Sequence, residues 1–215
     1  MKISMDKYKT WLFDCDGVIL DSNRIKTEAF FDSAIKYGKE YAKKLVELHI
    51  STGGVSRFEK MRQFVYEIIK TCDDKEVDYL IREYGRICFE KLKNSNITPG
   101  FVNFIRQNDC KKFVISGGRE DEVVSIFKHK KIDIYFNGIY GSPRTKENIL
   151  DDISEDIDFP AVYVGDSKYD FIASNYIGSD FIFMYEFSEF QGWEEYFKDR
   201  NVMCIKNIID IGIIK

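Results

Sequence analysis

Residues 11–18 read Trp11-Leu12-Phe13-Asp14-Cys15-Asp16-Gly17-Val18, an apolar run that ends in two carboxylates one residue apart. Consecutive bulky apolar residues suit a strand buried on both faces. Alternation past the end of that strand puts Asp14 and Asp16 on one side of the chain and Cys15 on the other. Two close carboxylates repel unless a cation or a proton sits between them. A lone D-x-D is also a common solvated turn. A second stretch, Gly165-Asp166-Ser167-Lys168-Tyr169-Asp170, follows the apolar run Ala161-Val162-Tyr163-Val164 in the same way. Two acidic strand ends point to convergence on one site.

Outward from these motifs, short segments rich in β-branched and aromatic residues alternate with helical patterns. Strands are expected at Lys9 to Asp14, Lys112 to Ser116, Ile134 to Ile139, Ala161 to Gly165, Phe181 to Met184 and Val202 to Ile205. Helices are expected at Arg119 to His129, Thr145 to Asp152, Tyr169 to Ile177 and Phe187 to Lys198. This alternation implies an α/β fold with a parallel sheet and helices on both faces. Ligands bind such sheets beyond the carboxyl ends of the strands, where Asp14, Ser116 and Asp166 fall. Between about Ser22 and Asn96 the alternation stops. Phe58, Met61, Val65, Ile68 and Ile69 recur at helical spacing, as do Val77, Leu80, Ile81, Tyr84, Cys88 and Leu92, so this stretch is an inserted helical module. Pro99-Gly100 marks the return to the sheet, with the proline placed to open the next helix. The expected division is 1–21 and 97–215 for the sheet unit and 22–96 for the insert.

Composition narrows the function classes. The 215 residues are 44% hydrophobic and 32% charged with a net charge of −4, which suits a folded globular chain and offers no basic footprint for nucleic acid. No run reaches the roughly 18 apolar residues of a membrane helix, and Met1 to Thr10 lacks a secretion signal. A cytoplasmic location follows, with no nucleic acid or membrane partner and a monomer or homodimer as the assembly. The five cysteines are scattered and never form C-x-x-C, against a disulfide framework or a zinc site. The neighbouring carboxylates would raise the pKa of Cys15 and make it a poor nucleophile. His49 and His129 lack the companions of a triad, so packing or surface roles are expected of both.

The strand ends assemble into phosphoryl chemistry. An aspartate attacking a phosphoryl group forms an aspartyl-phosphate, and an anion approaching an anion needs neutralisation. Asp14, the main-chain carbonyl of Asp16, and Asp166 would give Mg²⁺ part of an oxygen shell. Asp16 would protonate the leaving oxygen and then activate water. Ser116 with the amides of Gly117 and Gly118 offers donors to phosphate oxygens, and Lys146 adds a cation paired with phosphate and Asp14.

Taken together, these motifs resemble the haloacid dehalogenase superfamily of phosphohydrolases over essentially the whole chain. Phe13-Asp14-Cys15-Asp16-Gly17-Val18 with Asp21-Ser22 resembles its first motif, Ile115-Ser116-Gly117-Gly118 the second, Lys146 the third, and Val164 to Asp170 the fourth. The resemblance implies a Rossmann-like core and an α-helical cap, as in phosphoglycolate phosphatase and β-phosphoglucomutase-like enzymes. It also implies Asp14 as nucleophile, Asp16 as acid and base, Mg²⁺ at Asp14, Asp16 and Asp166, and Asp170 as an orienting carboxylate. An acid at position 16 favours a phosphatase over a dehalogenase, because halide leaves without a proton. The substrate expected is a small phosphorylated metabolite such as a sugar phosphate or sugar-acid phosphate.

Alternatives stay open at this point. A phosphosugar mutase shares the same aspartates, and Gly53-Gly54-Val55-Ser56-Arg57 resembles the cap loop of β-phosphoglucomutase. There Arg57 either grips a second anionic group or lies exposed after a Ser56 helix cap. Ser116 is followed by Gly117-Gly118-Arg119, a departure from the usual lysine-bearing pattern, and Arg119 either faces phosphate or begins a helix. A phosphonate-cleaving relative would need an insert lysine able to form a Schiff base, and none stands out. A phospho-accepting signalling domain would use the same aspartate, metal, hydroxyl and lysine without turnover, but lacks a cap and an acid at position 16. A metal-binding D-x-D of a sugar-nucleotide transferase would need a nucleotide pocket, which no motif supplies.

Overall fold

β1, Thr10–Phe13, is buried along its whole length and has a parallel neighbour on each side. A computed structural model describes residues 7–107 and 109–211. Two strands of two residues each follow β1, β2 (Leu20–Asp21) and β3 (Asn96–Ile97), and then β4 (Lys111–Arg119), β5 (Gly138–Ser142), β6 (Ala161–Gly165), β7 (Asp180–Met184) and β8 (Met203–Ile205). The main sheet runs β5-β4-β1-β6-β7-β8 with every pair parallel. Strand order therefore reverses at β1 and β6, the crevice where doubly wound sheets bind ligands. Both acidic motifs leave the sheet at that point.

Side-chain alternation divides the core into two layers. Trp11, Phe13, Val114, Val162 and Val164 face one apolar cluster, while Leu12, Phe113, Ile115 and Tyr163 face the other. Burial on both faces is why β1 and β6 read as unbroken apolar runs.

The stretch after β1 is helical, as its spacing predicts. It contains α1 (Asn23–Ala34), α2 (Lys39–Ser51), α3 (Arg57–Gln63), a π-helical turn over Phe64–Ile69, and α4 (Asp74–Lys93). On α4, Val77, Leu80, Tyr84, Cys88 and Leu92 form the buried stripe. Both crossings between this insertion and the sheet run together, because β2 pairs antiparallel with β3 through Leu20↔Ile97 and Asp21↔Asn96. The Thr98 hydroxyl fastens the same joint by donating to the Val18 carbonyl at 2.5 Å.

After the joint come α5 (Phe101–Arg106), α6 (Glu120–Lys130), α7 (Lys146–Asp152), α8 (Lys168–Ile177) and α9 (Trp193–Phe197). Four local expectations shift. The strand expected over Ile134 to Ile139 forms instead at Gly138–Ser142, and Asp133–Tyr135 makes a 3₁₀ turn that leaves Ile134 76% exposed. Backbone pairing with β4 outweighs β-propensity there. β4 runs past Ser116 to Arg119, with a register irregularity after Ile115. Gly100 in a left-handed conformation precedes α5, so Pro99 stands before the helix rather than opening it. Gly192, also left-handed, shortens the helix expected from Phe187 to Lys198 to its last turns.

Trp11 is fully buried, yet among the described residues its indole N–H has no hydrogen-bond partner. Trp11→Ala should cost about 3–5 kcal/mol in urea unfolding through the cavity it leaves. Trp11→Phe should cost much less, since it also removes an unsatisfied donor.

Candidate active site

Asp14 leaves β1 at the reversal point, and three features of the chain converge on it. Lys146 opens α7 beneath it and is itself buried. Its ammonium donates to Asp14 Oδ1 at 2.6 Å and to Asp170 Oδ1 at 2.5 Å. Asp170 belongs to a capping box at the start of α8, where its Oδ2 accepts from the Ser167 hydroxyl at 2.6 Å and from the amides of Ser167 and Asp166. Its oxygens are thereby engaged, and it orients Lys146. Asp166 is buried beside it and accepts from Asn23 Nδ2 at 2.6 Å. Gly17 makes room for this arrangement: at φ +75° it adopts a turn that glycine favours, and a Cβ there would fall 2.3 Å from Asp166 Oδ2.

One oxygen from each of Asp14, Asp166 and Asp170 lies within 4.8 Å of the others. Burial, together with Asp170 and Asp16 nearby, pushes the Asp14 carboxyl up to about 7 despite Lys146. Burial and the Asp14 and Asp170 charges raise Asp166 well above the usual carboxylate range. Lys146 alone thus leaves the cluster short of positive charge. A hard divalent cation suits such oxygen donors. Asp170 has both oxygens committed to Lys146, Ser167 and amides, whereas Asp14 Oδ2 accepts only a 3.2 Å bond from the Asp16 amide and Asp166 is held through Oδ2 by Asn23, so Asp14 and Asp166 are the carboxylates better able to hold it.

Asp16 has a different setting. Its Oδ1 accepts from the Ser22 hydroxyl at 2.6 Å, and its Oδ2 pairs with Lys26 of α1. Burial opposes its ionisation, but Lys26 and Ser22 outweigh burial and hold the carboxyl below its ordinary range. Two neighbouring aspartates are therefore driven in opposite directions, Asp14 toward its protonated form and Asp16 toward its ionised one.

A cavity of about 40 Å³ sits above these groups, bordered by Asp14, Asp16, Asp166, Gly117, Gly118 and Arg57 among others. Ser116, Lys146 and Asp170 lie behind its wall, the Ser116 hydroxyl accepting from the Gly118 amide at 2.9 Å. The insertion closes the cavity from above. Gly117 packs so tightly under the turn before α3 that a Cβ on it would fall 2.2 Å from the Gly54 carbonyl oxygen.

Arg57 fits neither sequence expectation in full. Ser56 does cap α3, but Arg57 is 5% exposed, with its guanidinium over the Tyr84 ring and its fork on the Glu122 carboxylate of α6. Arg119 ends β4 and begins α6, pairing with exposed Asp121 at 2.6 Å. Cys15 is buried, and burial first, then Asp16, raises its thiol well above the ordinary range. Sequence reasoning overlooked Asn23, Lys26, Lys60 and Glu122, and gave His49 only a packing or surface role. Asn23 and Lys26 sit three apart on the first turn of α1, a spacing that places them on one face. Lys60 is set apart from the other insert lysines by being buried on the cavity wall. Burial and Lys26 lower its ammonium to about 7.

The model of the haloacid dehalogenase-like hydrolase family matches residues 11–184. In structure the chain is similar to β-phosphoglucomutase from Clostridium difficile, with a TM-score of 0.71 and 19% identity over 93% of this chain and 91% of that one. It is also similar to CbbY from Rhodobacter sphaeroides in complex with phosphate, with a TM-score of 0.73 and 15% identity over 96% and 97%. A predicted phosphatase from Clostridium acetobutylicum gives 0.72 and 20% over 94% and 95%. At these identities the likeness is one of fold. No curated protein matches the chain in sequence.

Folded Asp14 keeps its proton up to about pH 7, whereas an unfolded aspartate releases it near 4. The folded state binds more protons across that window, so the contribution of Asp14 to stability falls as pH rises through it. A bound Mg²⁺ would compete with this proton. The difference in melting temperature between protein in Mg²⁺ and in EDTA should therefore widen from about pH 5 to about pH 8. Scanning calorimetry at several pH values checks this, and a constant difference would contradict it.

Proposed function

The chain belongs to the haloacid dehalogenase-like hydrolase family, and from that premise we propose that it is a Mg²⁺-dependent phosphatase of a small phosphorylated metabolite. The observation that carries this reading is the convergence of Asp14, Asp166 and Lys146 at the strand reversal, with Asp16 beside them on a partner of its own, Lys26. Asp14 and Asp166, with the Asp16 carbonyl, would hold Mg²⁺. When bound, the ion offsets the negative charge of the phosphoryl group.

Once Asp14 has released its own proton to solvent, one of its oxygens attacks phosphorus, the ester P–O bond breaks, and Asp16 gives its proton to the departing alkoxide. Lys26 keeps Asp16 ionised at rest, so its proton is taken up with the substrate, whose negative charge raises the proton affinity of a neighbouring carboxylate. Asp16 then removes a proton from water, which attacks the aspartyl-phosphate and frees both phosphate and Asp14. Lys146 and Asp170 keep Asp14 aligned. Gly117 and Gly118 border the cavity where phosphate oxygens would lie, and Ser116 sets their loop.

The cavity holds a few waters and no organic ester. Substrate entry therefore needs the turn at Gly54 to part from Gly117, which supports the division into a core of 1–21 and 97–215 and a cap of 22–96. With its fork on Glu122, Arg57 is better placed to clasp cap to core than to seize a second phosphate. That favours hydrolysis over phosphoryl transfer between two positions of a sugar. Five cysteines with no disulfide between them suit the reducing cytoplasm.

The buried Lys60 supports a second reading, phosphonate cleavage. Its amine would condense with a substrate aldehyde and lose water. The C–P bond electrons would then pass to the iminium carbon chain as Asp14 takes the phosphoryl group. Borohydride in the presence of phosphonoacetaldehyde would tag Lys60 if this holds, and an unmodified Lys60 excludes it.

Asp14→Asn should lower phosphate release from p-nitrophenyl phosphate by on the order of a thousandfold or more and leave no phosphorylated protein after acid quench. Asp16→Ala should lower it by about 10²–10⁴ while phosphorylated protein still forms slowly. Normal hydrolysis by Asp14→Asn would overturn the assignment.

A further inference from the structure

Two spaces meet beside the acidic cluster. One is the small cavity over Asp14, and the other is a chamber of about 660 Å³ on the far side of the Gly53-Gly54-Val55 turn. Asn23, His49, Gly54, Val55 and Asp166 border both. The chamber is walled largely by Ile50, Val55, Tyr169, Ile172 and Phe190, and its charged rim carries Glu47 and Glu189 against Lys168.

His49 stands at the junction, 7% exposed, with its ring 4.4 Å from that of Phe30. Lys60 Nζ lies 2.9 Å from its Nδ1 and also donates to its main-chain carbonyl at 3.3 Å. A phosphoryl anion bound in the inner cavity favours protonated Lys60, and an ammonium only donates, so Nδ1 then accepts and the neutral ring carries its proton on Nε2. Among the described residues that buried Nε2 has no hydrogen-bond partner. Its nearest carboxylate oxygen, on Glu189, is 3.7 Å away, beyond hydrogen-bond reach. Glu189 instead accepts from the Thr27 hydroxyl at 2.8 Å. Buried donors are almost always matched, and one left open between two cavities points to an acceptor supplied by a ligand.

The cations around the inner cavity divide in the same sense. Lys26 is paired with Asp16 and Arg57 with Glu122, while among the described residues Lys60 has no carboxylate partner. A phosphoryl group in the inner cavity would match that charge, leaving the neutral His49 N–H for an uncharged oxygen.

Resting on the phosphatase reading, we propose that His49, held in its Nε2–H tautomer by Lys60, recognises the alcohol part of the substrate. It donates to a hydroxyl or carbonyl oxygen near the ester, and the remainder of that group occupies the apolar-walled chamber. The substrate class is a phosphate monoester of a neutral alcohol bearing such an oxygen. Sugar acids and bisphosphates are disfavoured, because a second anion would face Glu47 and Glu189. His49 is the specificity residue, and Lys60 positions it.

The test uses the full chain with Mg²⁺ and three probes on one carbon skeleton: propyl phosphate, glycerol 1-phosphate and 3-phosphoglycerate. Glycerol 1-phosphate should show the highest kcat/KM. His49→Leu should reduce kcat/KM for glycerol 1-phosphate roughly tenfold more than for propyl phosphate, mainly through KM. His49→Gln, which keeps a donor, should recover part of the loss. Lys60→Met should raise KM for glycerol 1-phosphate more than for propyl phosphate. Equal losses on the two esters, no recovery in His49→Gln, or a preference for 3-phosphoglycerate would overturn the inference while leaving the phosphatase reading intact. Release that persists in Asp14→Asn, or none from any probe, would overturn both.

Discussion

Burying several carboxylates at one point is costly unless positive charge is built in beside them, and Lys146 is where this chain builds it in. Its ammonium lies between Asp14 at the end of β1 and Asp170 on the first turn of α8. Those two segments are adjacent only because strand order reverses at β1 and β6. Topology brings the acids together, and the lysine makes their meeting tolerable. The match is incomplete: Asp14 and Asp166 remain hard to ionise, and it is this residual deficit that gives a divalent cation something to bind.

Asp14 and Asp16 lie two residues apart yet answer to different parts of the molecule. Sheet-side groups, Lys146 and Asp170, govern Asp14, whereas Ser22 and Lys26 at the start of the insertion govern Asp16. The separation of environments sets the proton affinities of the two carboxylates apart. The packing of Gly117 against the Gly54 carbonyl keeps both under one roof.

Much of this was readable from residues alone, for identifiable reasons. Trp11 to Phe13 and Ala161 to Gly165 are buried on both faces, so burial writes itself into them as continuous apolar runs, and the acids follow directly. Helical spacing on α4 marks the insertion equally well, because one stripe packs inward. Edge strand β5 was misplaced, since its Gly138, Tyr140 and Gly141 give a weak pattern and its position depends on pairing with β4. The β2–β3 joint is too short to carry a period. Lys26, Lys60 and Glu122 were hidden for another reason: a lysine or glutamate on a helix looks solvated until tertiary packing buries it. His49 was read as a packing residue, which its stacking on Phe30 supports, but its open Nε2 could not be seen without the surrounding walls.

Lys26 lies on α1, immediately beyond the paired crossings that tie the insertion to the sheet, while Asp16 lies on the sheet side of them. Any displacement of α1 from the sheet takes the ammonium away from the carboxylate it ionises. Asp16 would then hold a proton more readily in the parted arrangement and surrender it more readily in the joined one. Mechanical position and acidity are thus two readings of a single coordinate at Asp16.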